Sequence, residues 1–142
     1  MIMCYHYNQD NRQMFKFFTT LSEEKTKNIS PVTLAFVGDA VYTLYVREKL
    51  VVEHDFSTGT LQKLSASEVS AHGQNILLER ILPQLSEDEL GVFKRGRNAK
   101  KPTRSKNATV AEYNNSTGFE ALLGYLYLTG NYQRIEELLS EE

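Results

Sequence analysis

The chain has 142 residues, of which 41% are hydrophobic and 24% are charged. This length and composition are typical of one globular domain over residues 1–142, and they exclude collagen-like, coiled-coil and largely disordered chains. The single cysteine, Cys4, excludes an internal disulfide and fits a reducing compartment. No apolar stretch approaches the roughly 20 residues of a membrane-spanning helix. We therefore expect a soluble, cytoplasmic protein with no membrane partner.

The N-terminal half of the sequence predicts helices. Apolar spacing indicates a first helix over residues 10–21, after a tail at residues 1–10 that we expect to be flexible. Ser30 and the proline that follows it have the identities of an N-cap and a first helical residue, so a second helix is predicted over residues 31–50. Residues 58–82 predict one long helix or two abutting ones.

The C-terminal half also predicts helices. A Ser-x-x-Glu capping box at residues 86–89 begins a short helix that we expect to end at a left-handed Gly96. Residues 119–128 predict a helix closed by Gly130, and residues 132–140 predict a terminal amphipathic helix. Because no alternating strand pattern appears, the sequence predicts an all-α domain.

The positive charge is concentrated in one segment, although the formal net charge of −2 gives no sign of a polyanionic partner. Seven of the sixteen Lys and Arg residues fall within thirteen positions that hold no acid, namely Lys94, Arg95, Arg97, Lys100, Lys101, Arg104 and Lys106. Interspersed Gly, Pro, Asn and Ser disfavour a helix, so we predict a basic loop over residues 97–115. Its charge favours a polyanionic partner, and the alternative is an ordinary solvated surface.

Two strongly apolar helices each carry a carboxylate close to a glycine. Asp39 follows Gly38, and Glu120 lies four residues before Gly124. A glycine inside a helix costs about 1 kcal/mol relative to alanine, and a close approach of the two helices would offset this cost. It would also bring the two acids together, which is costly unless one carboxylate binds a proton or a cation lies between them. Mg²⁺ suits such a site because it commonly takes only one or two protein carboxylates.

Simpler interpretations of these residues stay open. Thr117 and Glu120 have capping-box spacing, so Glu120 could satisfy an amide at a helix start. Asp39 could be a solvated residue on the polar line of its helix. No pair of histidines has metal-ligand spacing.

Three segments in order resemble the ribonuclease III family. Residues 34–41, Leu-Ala-Phe-Val-Gly-Asp-Ala-Val, resemble its signature helix, and residues 119–124, Phe-Glu-Ala-Leu-Leu-Gly, resemble its second acidic helix. Between them, residues 93–100, Phe-Lys-Arg-Gly-Arg-Asn-Ala-Lys, are most similar to the basic turn of the bacterial Mini-ribonuclease III subfamily. The resemblance covers residues 21–130. The short chain, with no room for a double-stranded-RNA-binding domain, also fits this subfamily.

The acidic set is smaller than that of ordinary ribonuclease III enzymes. Val32, Ala35 and Thr117 stand where acids would align, so Asp39 and Glu120 remain as the core pair. The Mini subfamily is similarly reduced, and the number of metal ions per site stays open.

The resemblance implies a helical bundle like the ribonuclease III endonuclease domain, working as a homodimer in which each subunit cuts one strand. The implied activity is a Mg²⁺-dependent endoribonuclease that cleaves double-stranded RNA and leaves 5′-phosphate and 3′-hydroxyl ends. The implied substrate is precursor large-subunit (23S) ribosomal RNA, presented within a ribosomal assembly that includes ribosomal protein. The apolar surfaces of the helices over residues 31–50 and 119–128 also exceed what one domain of this length easily buries, which favours a second subunit.

We therefore expect Asp39 and Glu120 to bind Mg²⁺, which would orient the scissile phosphate and activate the attacking water. Basic side chains would grip phosphates and 2′-hydroxyls across the RNA minor groove. The candidates for this contact are Lys94, Arg95, Arg97, Lys100, Lys101 and Arg104, with Lys63 and His72 as weaker ones. Two alternatives fit the same residues: a non-catalytic helical protein that binds structured RNA or the ribosome, and a protein-interaction module with structural acids.

Overall fold

The computed structural model describes residues 17–101 and 108–140. The secondary structure of this part of the chain consists of helices and contains no strand, which confirms the predicted all-α fold class. Seven α-helices follow one another, with a 3₁₀ turn at Leu82–Gln84 between the fourth and fifth. Their bounds are Glu23–Lys27 (α1), Pro31–Glu53 (α2), Thr58–Val69 (α3), Ala71–Ile81 (α4), Glu87–Asn98 (α5), Val110–Leu128 (α6) and Tyr132–Leu139 (α7). None of the helices in the described ranges is long and apolar enough to cross a membrane.

The N-terminal predictions fall largely outside the described residues. The tail at residues 1–10 and most of the helix predicted over residues 10–21 lie there. The described end of that segment, residues 17–21, is not helical, so the predicted helix does not reach residue 21. Helix α1 begins only at Glu23. Ser22 is its N-cap, and the Ser22 hydroxyl accepts a hydrogen bond from the Lys25 amide.

Helix α6 lies at the centre of the molecule. Its residues from Ser116 to Leu126 are buried, apart from the half-buried Glu120, and α1, α2, α4, α5 and α7 all pack against it. An apolar sequence on every side of a helix predicts this position, since such a surface is stable only when covered.

The start of α6 corrects the predicted loop. The Thr109 hydroxyl accepts a hydrogen bond from the Glu112 amide, and the Glu112 carboxylate accepts one from the Thr109 amide. This capping box begins the helix at Val110 rather than at residue 119. The connection between α5 and α6 therefore covers residues 99–109, and the basic loop predicted over 97–115 is too long at both ends. Residues 102–107 of this connection lie outside the described residues.

The start of α6 at Val110 decides whether Glu120 belongs to a capping box. Thr117 and Glu120 lie in the interior of α6, where backbone amides already have intrahelical partners. The Thr117 hydroxyl donates to the Tyr113 carbonyl, 3.0 Å away, instead of accepting from an amide. The capping-box interpretation of Glu120 is therefore wrong.

Helix α2 packs on α6 through glycine contacts. A Cβ atom on Gly38 would overlap the carbonyl group of Glu120, and one on Gly124 would overlap the carbonyl group of Leu34. Only glycine lets the two backbones come this close. The expected approach of the two acidic helices is therefore present, and it places Asp39 next to the turn of α6 that carries Glu120.

Ser70 divides the segment predicted over residues 58–82 into α3 and α4, one of the two possibilities left open. Its backbone is extended, and its hydroxyl accepts from the Gly73 amide at 3.0 Å and donates to the Ser67 carbonyl at 2.7 Å. A Cβ on Gly73 would crowd the carbonyl groups of Ser67 and Glu68, so this glycine lets α4 start against the end of α3.

The predicted end of α5 is wrong, whereas the end of α6 is confirmed. The helix continues through Asn98, and Gly96 lies inside it, where an added Cβ would lie 2.8 Å from the Gly118 Cα of α6. Close packing, rather than a left-handed turn, therefore requires glycine at position 96. Gly130, with φ 80°, is the residue that ends α6 in the left-handed conformation.

Candidate functional site

Asp39 and Glu120 meet where α2 and α6 approach most closely. Asp39 is exposed, and Glu120 is half-buried. The Glu120 carboxyl group lies beside the Asp39 carboxyl group, with which it can share a proton, and beside the side-chain amide of Gln74. The structure thus brings the two acids together, and their role as metal ligands stays a prediction.

The environment of Glu120 disfavours a negative charge. Burial, and to a smaller extent the hydrogen bond and the charge of Asp39, together raise the pKa of Glu120 to about 9, against the opposing effect of the Gln74 amide. A carboxyl group with a pKa this high is mostly protonated near neutral pH. A divalent cation bound by the two acids would favour the charged form of Glu120 instead.

The donor set fits a hard divalent cation. Asp39 and Glu120 offer carboxylate oxygens, the ligand type that such ions prefer. No group of three or more His, Cys, Asp or Glu side chains that could hold a metal occurs within residues 17–101 and 108–140. The pair would therefore supply only part of the coordination sphere, and water or substrate oxygens would complete it.

Sequence reasoning missed Gln74, which lies beneath the acid pair on α4 and is only 2% exposed. Its Nε2 atom donates to the Val69 carbonyl at 3.1 Å, and its Oε1 atom accepts from the Ser116 hydroxyl at 2.8 Å. Together with its contact to Glu120, the amide connects the end of α3 with α6.

A hydrophobic pattern does not find a buried amide, but spacing offers a signal. Gln74 lies four residues before Leu78 and seven before Ile81, and all three are buried on one face of α4. Ile76, an apolar residue of the same helix, is 60% exposed instead. A polar residue at a core position of this kind indicates a buried hydrogen-bond network.

The predicted RNA-contacting residues differ in how exposed their side chains are. Lys94 and Arg95 on α5, Lys100 just after it and Lys63 on α3 are exposed. Arg97 is half-buried, with its guanidinium group 5.7 Å from the centre of the Phe93 ring. Arg104 lies outside the described residues.

Lys101 has a structural contact of its own. Its Nζ atom donates to the carbonyls of Arg97 and Ala99, at 3.0 and 2.6 Å, and so satisfies the end of α5. Burial lowers the pKa of Lys101. Its ammonium group is therefore used in part by the helix end, which leaves fewer of its hydrogens for a phosphate.

His72 is held by an acid rather than grouped with metal ligands. Its Nδ1 atom lies 2.7 Å from a carboxylate oxygen of Glu112, and its side chain is 74% exposed. Because Glu112 also forms the capping box of α6, this contact joins the starts of α4 and α6.

Comparison with known proteins places these features in one family. The Ribonuclease III domain family matches residues 32–131. Mini-ribonuclease 3 of Thermoanaerobacter sp. strain X514 is 44% identical over 119 residues, which are 84% of each chain. Mini-ribonuclease 3 of Clostridium tetani is 40% identical over 131 residues, 89% of this chain and 85% of that relative.

A solved structure agrees with these matches. The crystal structure of a Fusobacterium nucleatum protein superposes with a TM-score of 0.71 at 31% identity, covering 78% of this chain and 88% of that one. The family match spans both acidic helices and all the predicted RNA-contacting residues.

Proposed function

Because the chain belongs to the ribonuclease III family, we propose that Asp39 and Glu120 together hold Mg²⁺ for the hydrolysis of double-stranded RNA. The protein is an endoribonuclease, double-stranded RNA is its substrate class, and enzymes of this family depend on a divalent metal ion. The observation that carries the site assignment is the hydrogen-bonded acid pair at the glycine contact of α2 and α6.

Each acid has a distinct part in this proposal. When bound, Mg²⁺ would stabilise negative charge on the phosphate and lower the pKa of a water molecule. Glu120 would lose its proton when it holds the cation, and it is half-buried. Asp39 is exposed and faces the side from which an RNA duplex can approach. The packed backbones at Gly38 and Gly124 fix the separation of the two carboxylates.

The basic end of α5 supplies the RNA contacts in this proposal. Gly96 packs on Gly118 and Ala121 of α6, so this end of α5 lies within one turn of Glu120 along that helix. Lys94, Arg95 and Lys100 present exposed charge there, and Arg97, Lys101, Arg104 and Lys63 complete the proposed set. These side chains would bind phosphates, because the minor groove of RNA is wide and shallow and carries little sequence information.

We propose a homodimer as the working form. Phe36, Leu44 and Val51 recur on one side of α2 and are 79%, 63% and 63% exposed. Several exposed large apolar residues on one side of a helix are typical of a protein interface. With two subunits, each strand of a duplex would meet its own acid pair. We further propose precursor 23S ribosomal RNA in a cytoplasmic ribosomal assembly as the substrate.

The test is cleavage of labelled duplex RNA with Mg²⁺ or with chelator, followed by analysis of the product ends. We expect Mg²⁺-dependent products with 5′-phosphate and 3′-hydroxyl ends. Asp39→Asn should reduce the cleavage rate on the order of 10³-fold, because a metal ion supplies several kcal/mol of transition-state stabilisation. The variant should still retard duplex RNA in a gel.

Asp55→Asn is the matched control, since it removes an exposed carboxylate from the connection between α2 and α3 and should cleave at the normal rate. If Asp39→Asn cleaved RNA at the rate of the unmodified protein, the assignment of Asp39 and Glu120 to the metal site would be contradicted. Binding of duplex RNA without any cleavage by the unmodified protein would favour the non-catalytic alternative.

A further inference from the structure

We propose that Gln74 is a positioning residue that holds the Glu120 carboxylate in its metal-binding orientation. The inference rests on the proposed function, because it takes Glu120 to be a metal ligand. Gln74 itself is not proposed to contact the ion or the RNA.

The hydrogen bonds of Gln74 fix which way its amide points. The Val69 carbonyl is only an acceptor, so the nitrogen of the amide must face it, at 3.1 Å. The Ser116 hydroxyl then donates to the oxygen of the amide, at 2.8 Å. One hydrogen of Nε2 remains, and in this proposal it is donated to Glu120, which lies one turn after Ser116 on α6 and whose pKa the amide lowers.

Burial makes this arrangement rigid. Gln74 is 2% exposed and Ser116 is 5% exposed, so bulk water does not compete for the hydrogen bonds of the amide. An amide in an apolar core is costly unless each polar atom is paired, and here each one is. Rotating the Gln74 side chain to follow a displaced Glu120 would break the contacts to both Val69 and Ser116.

The network also explains why an amide lies at this core position. Val69 is the last residue of α3, so its carbonyl has no partner within that helix. Gln74 satisfies this carbonyl and also lies beside Glu120, which is one turn after Ser116 on α6. The break between α3 and α4 is thereby connected to the acid pair. Outer partners of this kind commonly set metal affinity in proteins, and their loss typically costs 10- to 100-fold.

Two substitutions test the proposal. Gln74→Met keeps the length of the side chain and removes all of its hydrogen bonds. Ser116→Ala removes one support of the amide and leaves Gln74 and Glu120 in place. The readouts are Mn²⁺ binding to the protein without RNA, measured by electron paramagnetic resonance, the Mg²⁺ concentration for half-maximal cleavage, and KM for duplex RNA.

We expect Gln74→Met to raise the Kd for Mn²⁺ on the order of 10- to 100-fold and the half-maximal Mg²⁺ concentration similarly. KM for RNA should not change at saturating Mg²⁺. Ser116→Ala should also raise the Kd for Mn²⁺ and the half-maximal Mg²⁺ concentration, but by a smaller factor than Gln74→Met. The matched control is Asn75→Ala, which also removes an amide between α4 and α6, at 2.9 Å from the Glu112 carbonyl, and should bind Mn²⁺ normally.

Normal Mn²⁺ affinity in Gln74→Met would overturn the proposal. If that variant does not fold, Ser116→Ala decides, and an unchanged Mn²⁺ affinity there would overturn it. An equal loss in Asn75→Ala would indicate general loosening of α4 on α6 and would also overturn it. Failure of the proposed function is distinguishable, because the unmodified protein would then cleave no RNA or would cleave it without Asp39.

Discussion

Glu120 is a carboxyl group whose charge is unfavourable until a cation is present. The sequence places it on an apolar helix, and that context already predicts partial burial. The contact of Glu120 with Asp39 requires that α2 and α6 pack together. The glycines in the two helices predicted a close approach, but they did not show which backbone atoms would meet. The contact with Gln74 was not predictable from apolar periodicity, because a buried amide interrupts the pattern by which core positions are recognised.

At the residue scale, the raised pKa of Glu120 predicts how stability depends on pH without metal. The folded protein keeps a proton on Glu120 up to about pH 9, whereas the unfolded chain releases it near the ordinary value of 4.5. Between these values the folded state binds more protons, so stability is greatest at the acidic end and falls as the pH rises. Denaturant unfolding in chelator at pH 5, 7 and 9 should show this decline.

The variant Glu120→Gln removes the titrating group and should show a weaker decline between pH 5 and 9. Glu48→Gln, at an exposed position of α2, should keep the full decline. Identical pH dependence in Glu120→Gln and the unmodified protein would contradict the assigned environment.

At the scale of elements, several boundaries depend on tertiary packing. The sequence before Thr117 contains Asn and Ser residues with weak helix preference, which favours a loop. Packing of α6 in the core overrides that preference, and the Thr109 capping box sets the start. Gly96 has the identity of a helix end, yet its function is close contact with Gly118, which no local pattern reveals. The capping box of α5 and the end of α6 at Gly130 are local features and were predicted correctly.

Gly38→Ala tests the contact of α2 with α6. A methyl group there would overlap the Glu120 carbonyl, so the helices must separate, and overpacking of this kind costs about 1–3 kcal/mol or more. Alanine is the better helix former by about 1 kcal/mol, which offsets only part of this loss. We expect a clear decrease in the free energy of unfolding, measured by denaturant titration.

Gly59→Ala is the control for helix preference, because a Cβ at position 59 of α3 would meet no atom within 4 Å. It should be neutral or slightly stabilising. Equal stability of Gly38→Ala and the unmodified protein would show that the two helices do not need the close approach.

In the whole molecule, α6 is enclosed by other helices, whereas the neighbouring α2 is only partly covered by them. The residues of α6 from Ser116 to Leu126 are buried within the chain, apart from the half-buried Glu120, whereas α2 keeps Phe36, Leu44 and Val51 exposed. The apolar composition of both helices predicted more buried surface than one domain offers. It did not indicate which helix would be left uncovered, since that depends on how the helices are arranged around α6.

Phe36→Asp tests the proposed homodimer. Phe36 is 79% exposed, and a charge at the centre of an apolar interface should remove roughly 2 kcal/mol or more of association energy. We therefore expect the dimer Kd to rise about 30-fold or more in sedimentation experiments. Ile76→Asp alters another exposed apolar residue, which lies on α4 and is 60% exposed, and this variant should stay dimeric. A monomer for the unmodified protein at micromolar concentration would contradict the proposal.

Binding of a divalent cation between α2 and α6 can be tested directly by cleavage of the polypeptide itself. Fe²⁺ can replace Mg²⁺ at oxygen-rich sites, and with ascorbate and peroxide it generates hydroxyl radicals that cut the polypeptide next to the bound ion. Cuts should occur near both Asp39 and Glu120, disappear with excess Mg²⁺ and be absent in Glu120→Gln. Cuts at one helix alone, at neither helix, or persisting in Glu120→Gln would contradict a shared metal site.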